Sequence, residues 1–392
     1  MSTFAFETEI AGGRRDPILT APMAALCGTI TMAMGSFYLL LSAAPAHAAV
    51  LGGELAAGST TAVLMATTIV GEVIAPRLIA RLGRRLATAI ALLVLAIPAF
   101  ATFSSDLTIV LVSCAVRGLG LGVLLVAACG LAASLAPASR RAEAMGIYGI
   151  ASALPAILGI PLGPWALAWS GPIATASIAA ALGLGALAGL AAFPGRAAPA
   201  DGQRQPHALP ALRASAWPAG ALAIGAIAVG ATFTFLPLAH REVAATTIML
   251  ALLLQGVASA FARWALGRSI DRHGPNKAVI VGVACTIAAM LILALPGEAA
   301  VIAGMVGSGV AFGVLQSATL TQLLQRATPT QADSVSAVWN AAYDAGLGVG
   351  GIGIGALAAA AGFAAAFAIA AIGFAAVACL IFLLCEPRRA LC

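Results

Sequence analysis

A carboxylic acid with two polar neighbours lies inside a long apolar stretch near the end of the chain. Asp344 follows Asn340 by four residues, so the two share one face of a helix, which Tyr343 borders. Apolar surroundings favour the neutral form of a carboxyl group, so such a group can take up and release a proton near neutral pH. We therefore predict that Asp344 exchanges protons and that Asn340 and Tyr343 hydrogen-bond a small molecule. A purely structural Asp344 is the alternative.

A guanidinium and further acids lie in other apolar stretches. Arg117 is the basic residue that lies deepest within one, and the cost of burying its charge predicts a polar cavity or a partner. The alternative is that backbone carbonyls hold Arg117 for packing. Glu72 lies about two helical turns from the end of its stretch and is predicted to carry a proton or to pair with Arg77. Glu54 is expected to be solvated, and the Arg263 side chain to extend along its stretch to water.

The composition of the chain excludes a water-soluble protein. Hydrophobic residues make up 61% of the 392 residues and charged residues 9%, against about 25% charged residues in soluble domains. So few charges cannot cover a soluble body of this size, and membrane-spanning helices must position the residues described above. The 7 Cys and 4 His show no metal-ligand spacing, so we expect no metal and no cofactor.

The apolar stretches predict an all-α polytopic membrane protein with twelve transmembrane helices in two six-helix bundles. Each stretch is long enough for a span, which needs about 20 apolar residues. Residues 1–194 form the first bundle, the polar and Pro-rich residues 195–214 a cytoplasmic linker, and residues 215–392 the second bundle. The predicted spans are 20–42, 53–79, 86–103, 107–135, 141–168, 173–194, 215–240, 245–267, 276–296, 299–326, 332–360 and 363–385.

Lys and Arg residues predict the orientation of the spans. Almost all of them lie on one side, whereas the connections on the other side carry Arg241. Positive charge favours the cytoplasmic side, so both termini are predicted to lie in the cytoplasm and the bilayer to be the inner membrane. The net charge of +6 is then a topology signal, and no nucleic-acid partner is expected. Ala46-His47-Ala48 imitates the cleavage site of an export signal, but eleven further spans favour a first transmembrane helix.

The two bundles repeat each other in sequence. Residues 76–83 align with residues 267–274 at an offset of 191, and Pro137 aligns with Pro329 at an offset of 192. Each bundle thus carries a basic turn after its second span. Parallel six-helix repeats with a site between them are typical of secondary transporters.

The basic turns resemble the loop signature of the major facilitator superfamily, Gly-x-x-x-Asp-Arg-x-Gly followed by two basic residues. The likeness covers essentially the whole chain and implies that family's fold. It also implies a gating role for these loops, in which a carboxylate holds an Arg or caps a helix. The alternative is that the charges merely anchor the topology. Ala80 replaces the Asp in the first loop, so either the second loop supplies the latch or the gate is loose. The matching residues are Gly267, Asp271, Arg272 and Gly274 in the second loop and Arg81, Gly83, Arg84 and Arg85 in the first.

Two further segments resemble motifs of the same superfamily. Residues 117–122 are similar to its fourth-helix motif, which implies that Arg117 takes part in proton transfer. Residues 159–164 resemble, in part, the fifth-helix signature of its exporters. The prolines are expected to kink this helix, and its glycines to pack closely across the two bundles. The residues of the fifth-helix motif are Pro155, Gly159, Pro161, Gly163 and Pro164.

These features predict a proton-driven exporter of a small, moderately hydrophobic drug or metabolite, working by alternating access. The proton gradient is the expected energy source, with Asp344 and Glu72 carrying protons and Arg117 tuning the carboxylate or holding an anionic substrate. Residues 339–348 are similar to a segment of bacterial exporters of the superfamily. The chain lacks a nucleotide-binding loop and a convincing catalytic constellation, so we expect no enzyme, and we expect a functional monomer. A proton-coupled importer of a metabolite is the main alternative, and a receptor or scaffold of this fold is a third.

Overall fold

The computed structural model consists of helices and short turns throughout the part of the chain that it describes. It describes residues 19–136, 140–193, 208–326 and 332–385, without the side chains of 141–142, 208–216, 266–273, 326, 332–336 and 381–385. The helices are α1 Ala21–Leu82, α2 Arg84–Ala96, α3 Leu107–Leu135, α4 Arg141–Gly185, α5 Ala208–Ala239, α6 Ala245–His273, α7 Pro275–Leu293, α8 Glu298–Arg326, α9 Ala332–Ala361 and α10 Phe363–Cys385.

Two of these helices are too long to be single spans. The 62 residues of α1 would extend about 93 Å as one helix, three times the hydrocarbon thickness of a bilayer. Gly53 breaks α1 with φ 69° and ψ −159°, and Gly171 breaks α4 with φ 79° and ψ 175°. We call the parts α1a (21–51), α1b (54–82), α4a (141–170) and α4b (172–185). Ten apolar helices of spanning length, two of them broken, are consistent with the twelve predicted spans.

Most helix boundaries agree with those predicted from the sequence, and the end of the first span is the main exception. The span predicted to end at residue 42 continues as α1a to residue 51, through Pro45. Ala43, Ala44 and Ala48 of this extension are buried, so packing against neighbouring helices holds it in place. Proline within a transmembrane helix is tolerated where the surrounding helices support it.

The backbone confirms the internal repeat. Gly83 begins α2 with φ 77° and ψ 155°, and Gly274 begins α7 with φ 81° and ψ 154°, at the predicted offset of 191 residues. Gly171 and Gly362 are separated by the same offset and have φ values of 79° and 80°. We use "Gly83 end" for the end of the bundle that contains the turns at Gly83 and Gly274. "Gly53 end" is the opposite end, with the turns at Gly53, 104–106, Gly171, 240–244, 294–297 and Gly362.

Glycine allows the helices within each bundle to pack with their backbones in contact. A Cβ atom at Gly122 of α3 would lie 2.6 Å from the amide nitrogen of Glu72 in α1b. In the second bundle, a Cβ atom at Gly346 of α9 would lie 2.9 Å from the carbonyl oxygen of Ala223 in α5. Such close approach favours van der Waals packing and is typical of transmembrane interfaces. The helices that carry the ionisable residues are therefore fixed relative to their neighbours.

Candidate functional site

Two carboxyl groups from opposite bundles approach each other in the interior. Asp344 of α9 is 7% exposed, and Glu72 of α1b is half-buried. The two helices pack against each other, because a Cβ atom at Gly348 of α9 would lie 3.3 Å from the Cβ of Met65 in α1b. Glu72 has no carboxylate–guanidinium contact with Arg77 among the described residues, so the pairing that was open from the sequence is absent there. The structure thus brings together the two acids predicted to carry protons.

A guanidinium and two tyrosines complete a polar cluster between the bundles. Arg263 of α6 donates from Nη1 to Oε1 of Gln316 in α8 over 3.3 Å. Its charge lies within electrostatic range of the hydroxyl groups of Tyr38 in α1a and Tyr343 in α9. Arg263 was predicted to extend along its stretch to water; its side chain is exposed, and Gln316 holds one edge of the guanidinium. We call Tyr38, Glu72, Arg263, Gln316, Tyr343 and Asp344 the central cluster.

The face of α9 that carries Asp344 borders open space toward the Gly83 end. Asn340, four residues from Asp344 on the same face, is exposed, and Tyr343 is half-buried. The ring of Phe312 in α8 stacks on that of Tyr343 with centroids 5.7 Å apart. One turn further, Trp339 donates from Nε1 to Thr319 Oγ1 over 3.0 Å. The open face is therefore lined by aromatic rings and a few hydrogen-bonding groups.

Arg117 is buried away from the central cluster. Its side chain is 2% exposed and donates to the carbonyl oxygens of Leu95 over 2.9 Å and of Ser36 over 3.2 Å. No carboxylate lies within 4.0 Å of it in the described part of the chain. These contacts agree with the alternative that backbone carbonyls hold Arg117 for packing, because its guanidinium bonds α3 to α1a and α2. It also lines a narrow cleft together with Thr60, Thr61 and Cys114.

The two bundles are in close contact near the Gly53 end. A Cβ atom at Gly58 of α1b would overlap the carbonyl group of Gly351 in α9, and one at Gly355 would lie 2.8 Å from the carbonyl oxygen of Glu54. The hydroxyl groups of Thr61 in α1b and Thr234 in α5 form a buried hydrogen bond of 2.9 Å. Backbone contact and a buried hydrogen bond leave no room for a passage between these segments.

The fifth-helix motif packs within its own bundle and not across the two bundles as predicted. A Cβ atom at Gly159 would lie 2.9 Å from the Cβ of Tyr38, and one at Gly163 would lie 3.2 Å from the amide nitrogen of Ala43, both in α1a. The hydroxyl of Ser42 donates to the carbonyl oxygen of Ile160 over 2.8 Å. Sequence alone does not say which neighbour a glycine faces. The residues with non-helical backbone in α4 are confined to Gly171, so the helix continues through Pro155, Pro161 and Pro164.

The basic turns at the Gly83 end are described in part. Arg84 donates from Nη1 to the carbonyl oxygen of Gly130 over 2.9 Å and to Ser134 Oγ over 3.1 Å, so it joins α2 to α3. Arg81, Gly83 and Arg85 are exposed. The side chains of the second turn, Gly267, Asp271 and Arg272, lie outside the described residues, and their gating role stays a prediction.

Sequence reasoning did not single out Tyr38 or the inward position of Arg263. Two signals could have found them. The chain has 3 Tyr, each within an apolar stretch, and a phenol in such a place needs a hydrogen-bonding neighbour. Arg263 also stands 191 residues after Glu72, the offset of the repeat, so each has the equivalent position in its own bundle.

Comparison with known proteins agrees with this architecture. The sequence profile of the Major Facilitator Superfamily matches residues 26–351 and, in a second match, residues 219–391. No curated protein matches the sequence significantly.

Solved structures with a similar fold are transporters that share little sequence with this chain. The nucleoside transporter NupG is 13% identical, with a TM-score of 0.72 over 93% of this chain and 99% of that chain. A bacterial homologue of the human lysosomal transporter Spinster, in an inward-facing and unoccupied conformation, is 13% identical, with a TM-score of 0.72 over 94% and 97%. A POT family transporter in complex with a thioalcohol-conjugated peptide is 13% identical, with a TM-score of 0.72 over 93% and 96%. Because the family profile covers most of the sequence and the fold agrees, the chain belongs to the Major Facilitator Superfamily and is an integral membrane transporter.

Proposed function

We propose that this transporter uses the proton gradient to export a small, moderately hydrophobic molecule by alternating access. The observation that carries the proposal is that Asp344 and Glu72, one from each bundle, lie on the helices α9 and α1b, which pack against each other between the bundles. Two negative charges in apolar surroundings repel each other and lack water to solvate them. Binding of a proton removes that cost, so the relative position of the bundles and the protonation of the pair depend on each other.

The contacts between the bundles support access from the Gly83 end in the conformation described here. Near the Gly53 end, the backbones at Gly58 and Gly351 are in contact and the hydroxyl groups of Thr61 and Thr234 are hydrogen-bonded. On the other side of Asp344, toward the Gly83 end, Asn340 is exposed. If the Gly83 end faces the cytoplasm, as the basic residues predict, a molecule enters from the cytoplasm. Proton binding from the opposite side then requires a second conformation in which the contacts at the Gly53 end open.

The chemistry of the open face supports a small molecule with an apolar, aromatic body. Tyr343 and its stacked neighbour Phe312 provide ring surface, and Asn340 and Gln316 provide hydrogen bonds. The similar structures include transporters of nucleosides and a transporter with a bound peptide, so this fold is compatible with several substrates. We assign Arg117 a positioning role, because its guanidinium is bonded to backbone carbonyls.

Transport by the purified protein in proteoliposomes tests the proposal. A panel of fluorescent or radiolabelled drugs and metabolites is offered with and without an imposed pH gradient. We expect wild-type protein to move at least one of them only with the gradient, and both Asp344→Asn and Glu72→Gln to remove the dependence on the gradient. Glu54→Gln is the matched control, because it changes a carboxyl group at the far end of the same helix as Glu72. Gradient-driven flux that survives in Asp344→Asn contradicts the proposal.

The direction of coupling separates export from the alternative of import. An exporter moves its substrate against the direction of proton entry, and its expression raises the tolerance of cells to a toxic substrate. An importer moves both in the same direction, and its expression raises the uptake of the labelled compound. A receptor or scaffold of this fold shows neither effect. The partial likeness of residues 159–164 to an exporter motif favours the first outcome.

A further inference from the structure

Arg263 is a cation at the central cluster, and no acidic side chain among the described residues forms an ion pair with it. It lies ten residues before the end of α6, about 15 Å along the helix axis, and is nevertheless exposed. Gly256, seven residues earlier on the same face of α6, lies against Ile157 of α4a in the other bundle, because a Cβ atom at Gly256 would lie 3.3 Å from the Ile157 Cα. The face of α6 that carries Arg263 is therefore directed toward the other bundle. The exposed surface of the Arg263 side chain therefore borders the cavity between the bundles and not the lipid.

The contacts of Arg263 leave most of its hydrogen-bonding capacity unused. A guanidinium has five N–H donors in a planar fork, and the one acceptor in contact with it is the neutral oxygen of Gln316 at 3.3 Å. No carboxylate lies within 4.0 Å of Arg263 among the described side chains. Asp344 interacts with Glu72, and neither acid forms an ion pair with the guanidinium. The remaining donors therefore face the open space beside the helix.

The internal repeat gives this arrangement a second independent argument. Arg263 and Glu72 occupy equivalent positions of the two bundles, 191 residues apart, so one bundle presents a cation where the other presents an acid. They do not neutralise each other by direct contact. The cavity between them is therefore polarised, with the positive side on α6 and the acidic side on α1b and α9. A dipolar cavity of this kind orients a molecule that carries one negative group.

We infer that Arg263 binds an anionic group of the transported molecule, and that the substrates are small organic monoanions, of which aromatic carboxylates are the simplest class. The planar guanidinium matches the two oxygens of a carboxylate. Gln316 fixes one edge of that guanidinium, and Tyr343, Phe312 and Tyr38 lie where the apolar body of the ligand would pack. This inference rests on the proposed function, because it assigns the substrate class of the same cavity.

Binding of matched probes to the purified full-length protein tests the inference. There are three probe sets, built on benzene, naphthalene and anthracene. Within each set the ring system is the same, and it carries a carboxylate, the neutral primary amide or the cationic amidine. We expect wild-type protein to bind at least one carboxylate about tenfold or more tightly than its amide, since hydrogen bonds to charged groups are the stronger ones. Arg263→Gln should remove that preference and Arg263→Lys should keep part of it. Arg241→Gln, which removes an exposed positive charge from a loop at the Gly53 end, should leave it unchanged.

Three outcomes overturn the inference: no carboxylate binds, amides or amidines bind as tightly as carboxylates, or Arg263→Gln retains the preference while eluting as a folded monodisperse protein. Transport of the bound probe then separates this inference from the proposed function. Carboxylate binding without gradient-driven flux contradicts proton coupling and leaves the anion site intact. Gradient-driven flux of neutral compounds without any carboxylate preference contradicts the anion site and leaves proton coupling intact.

Discussion

Replacing Gly58 by alanine should open the contact between the bundles at the Gly53 end. The new Cβ would lie 2.8 Å from the carbonyl carbon of Gly351, whereas ordinary contact begins at 3.4 Å, so the two helix backbones must separate by at least 0.6 Å. The obstacle is backbone on a facing helix, so no side-chain rotation relieves it. Overpacking of this kind costs about 1–3 kcal/mol. The gain in helix propensity on replacing Gly is present in every conformation and cancels from the equilibrium between them.

This cost falls on the conformation that is closed at the Gly53 end. We therefore expect the ratio of open to closed molecules at that end to rise roughly 5- to 150-fold, which is the range that 1–3 kcal/mol corresponds to. Spin labels at Ser105→Cys and Arg241→Cys, on exposed loops of the two bundles, report the distance across that end by pulsed electron resonance in nanodiscs. The background protein has its native cysteines replaced.

The matched control is Gly353→Ala in α9, the helix that Gly58 contacts. A Cβ atom at Gly353 meets nothing within 4 Å, so this substitution adds the same methyl group without a clash. We expect its distance distribution to match that of the unsubstituted protein. If Gly58→Ala leaves the distribution unchanged, or if Gly353→Ala shifts it equally, backbone contact between α1b and α9 does not hold the Gly53 end closed.

Two further predictions concern residues outside the central cluster. Arg117→Gln removes the charge-assisted hydrogen bonds to Leu95 and Ser36 and should lower the free energy of unfolding by about 2 kcal/mol, measured by denaturant titration, while the pH profile of flux per folded molecule stays the same. Unchanged stability with lost proton coupling would instead assign Arg117 a direct role. At the Gly53 end, hydrogen bonds from the backbone amide of Glu242, from His240 and from the amide of Gly297 lower the pKa of the Glu242 carboxyl below its ordinary value of 4.5. Its charged form therefore stabilises the fold above that pH, and the contribution is lost as the pH falls through the lowered pKa. Glu242→Gln should have a smaller acid-induced drop in unfolding midpoint than wild type, and equal drops would contradict this.

The helices could be predicted well from the sequence, because the thickness of the bilayer sets their length and the polar residues between apolar stretches mark where they begin and end. The fourth span was predicted at 107–135, and α3 has the same bounds, with the Asp106 side chain accepting from the amide of Thr108 over 2.7 Å as an N-cap. The repeat at an offset of 191 residues predicted the turns at Gly83 and Gly274, whose backbones agree closely. The first span was predicted to end at residue 42, whereas the helix continues through Pro45 to residue 51.

The site was predicted in part, because hydropathy identifies charged residues in a span but not which way they face. Asp344 and Glu72 were singled out as isolated acids, and the fold brings them together from helices far apart in sequence. The glycines of the fifth helix were assigned to the wrong surroundings, and the contact of Arg263 with Gln316 was not predicted. Their neighbours, Gln316 for Arg263 and Tyr38 for Gly159, follow from the rotation of each helix about its axis, which no local pattern in these stretches determines.

Infrared difference spectroscopy of the protein in lipid bilayers tests directly whether Asp344 and Glu72 take up and release protons. A change of pH on the bathing solution is followed in the C=O stretching region of protonated carboxyl groups, for wild type, Asp344→Asn and Glu72→Gln. We predict a band in wild type that titrates with pH and is lost or displaced in both variants, because the two acids share one electrostatic environment. An identical titrating band in all three proteins would show that neither carboxyl group exchanges its proton with water, and it would contradict the account.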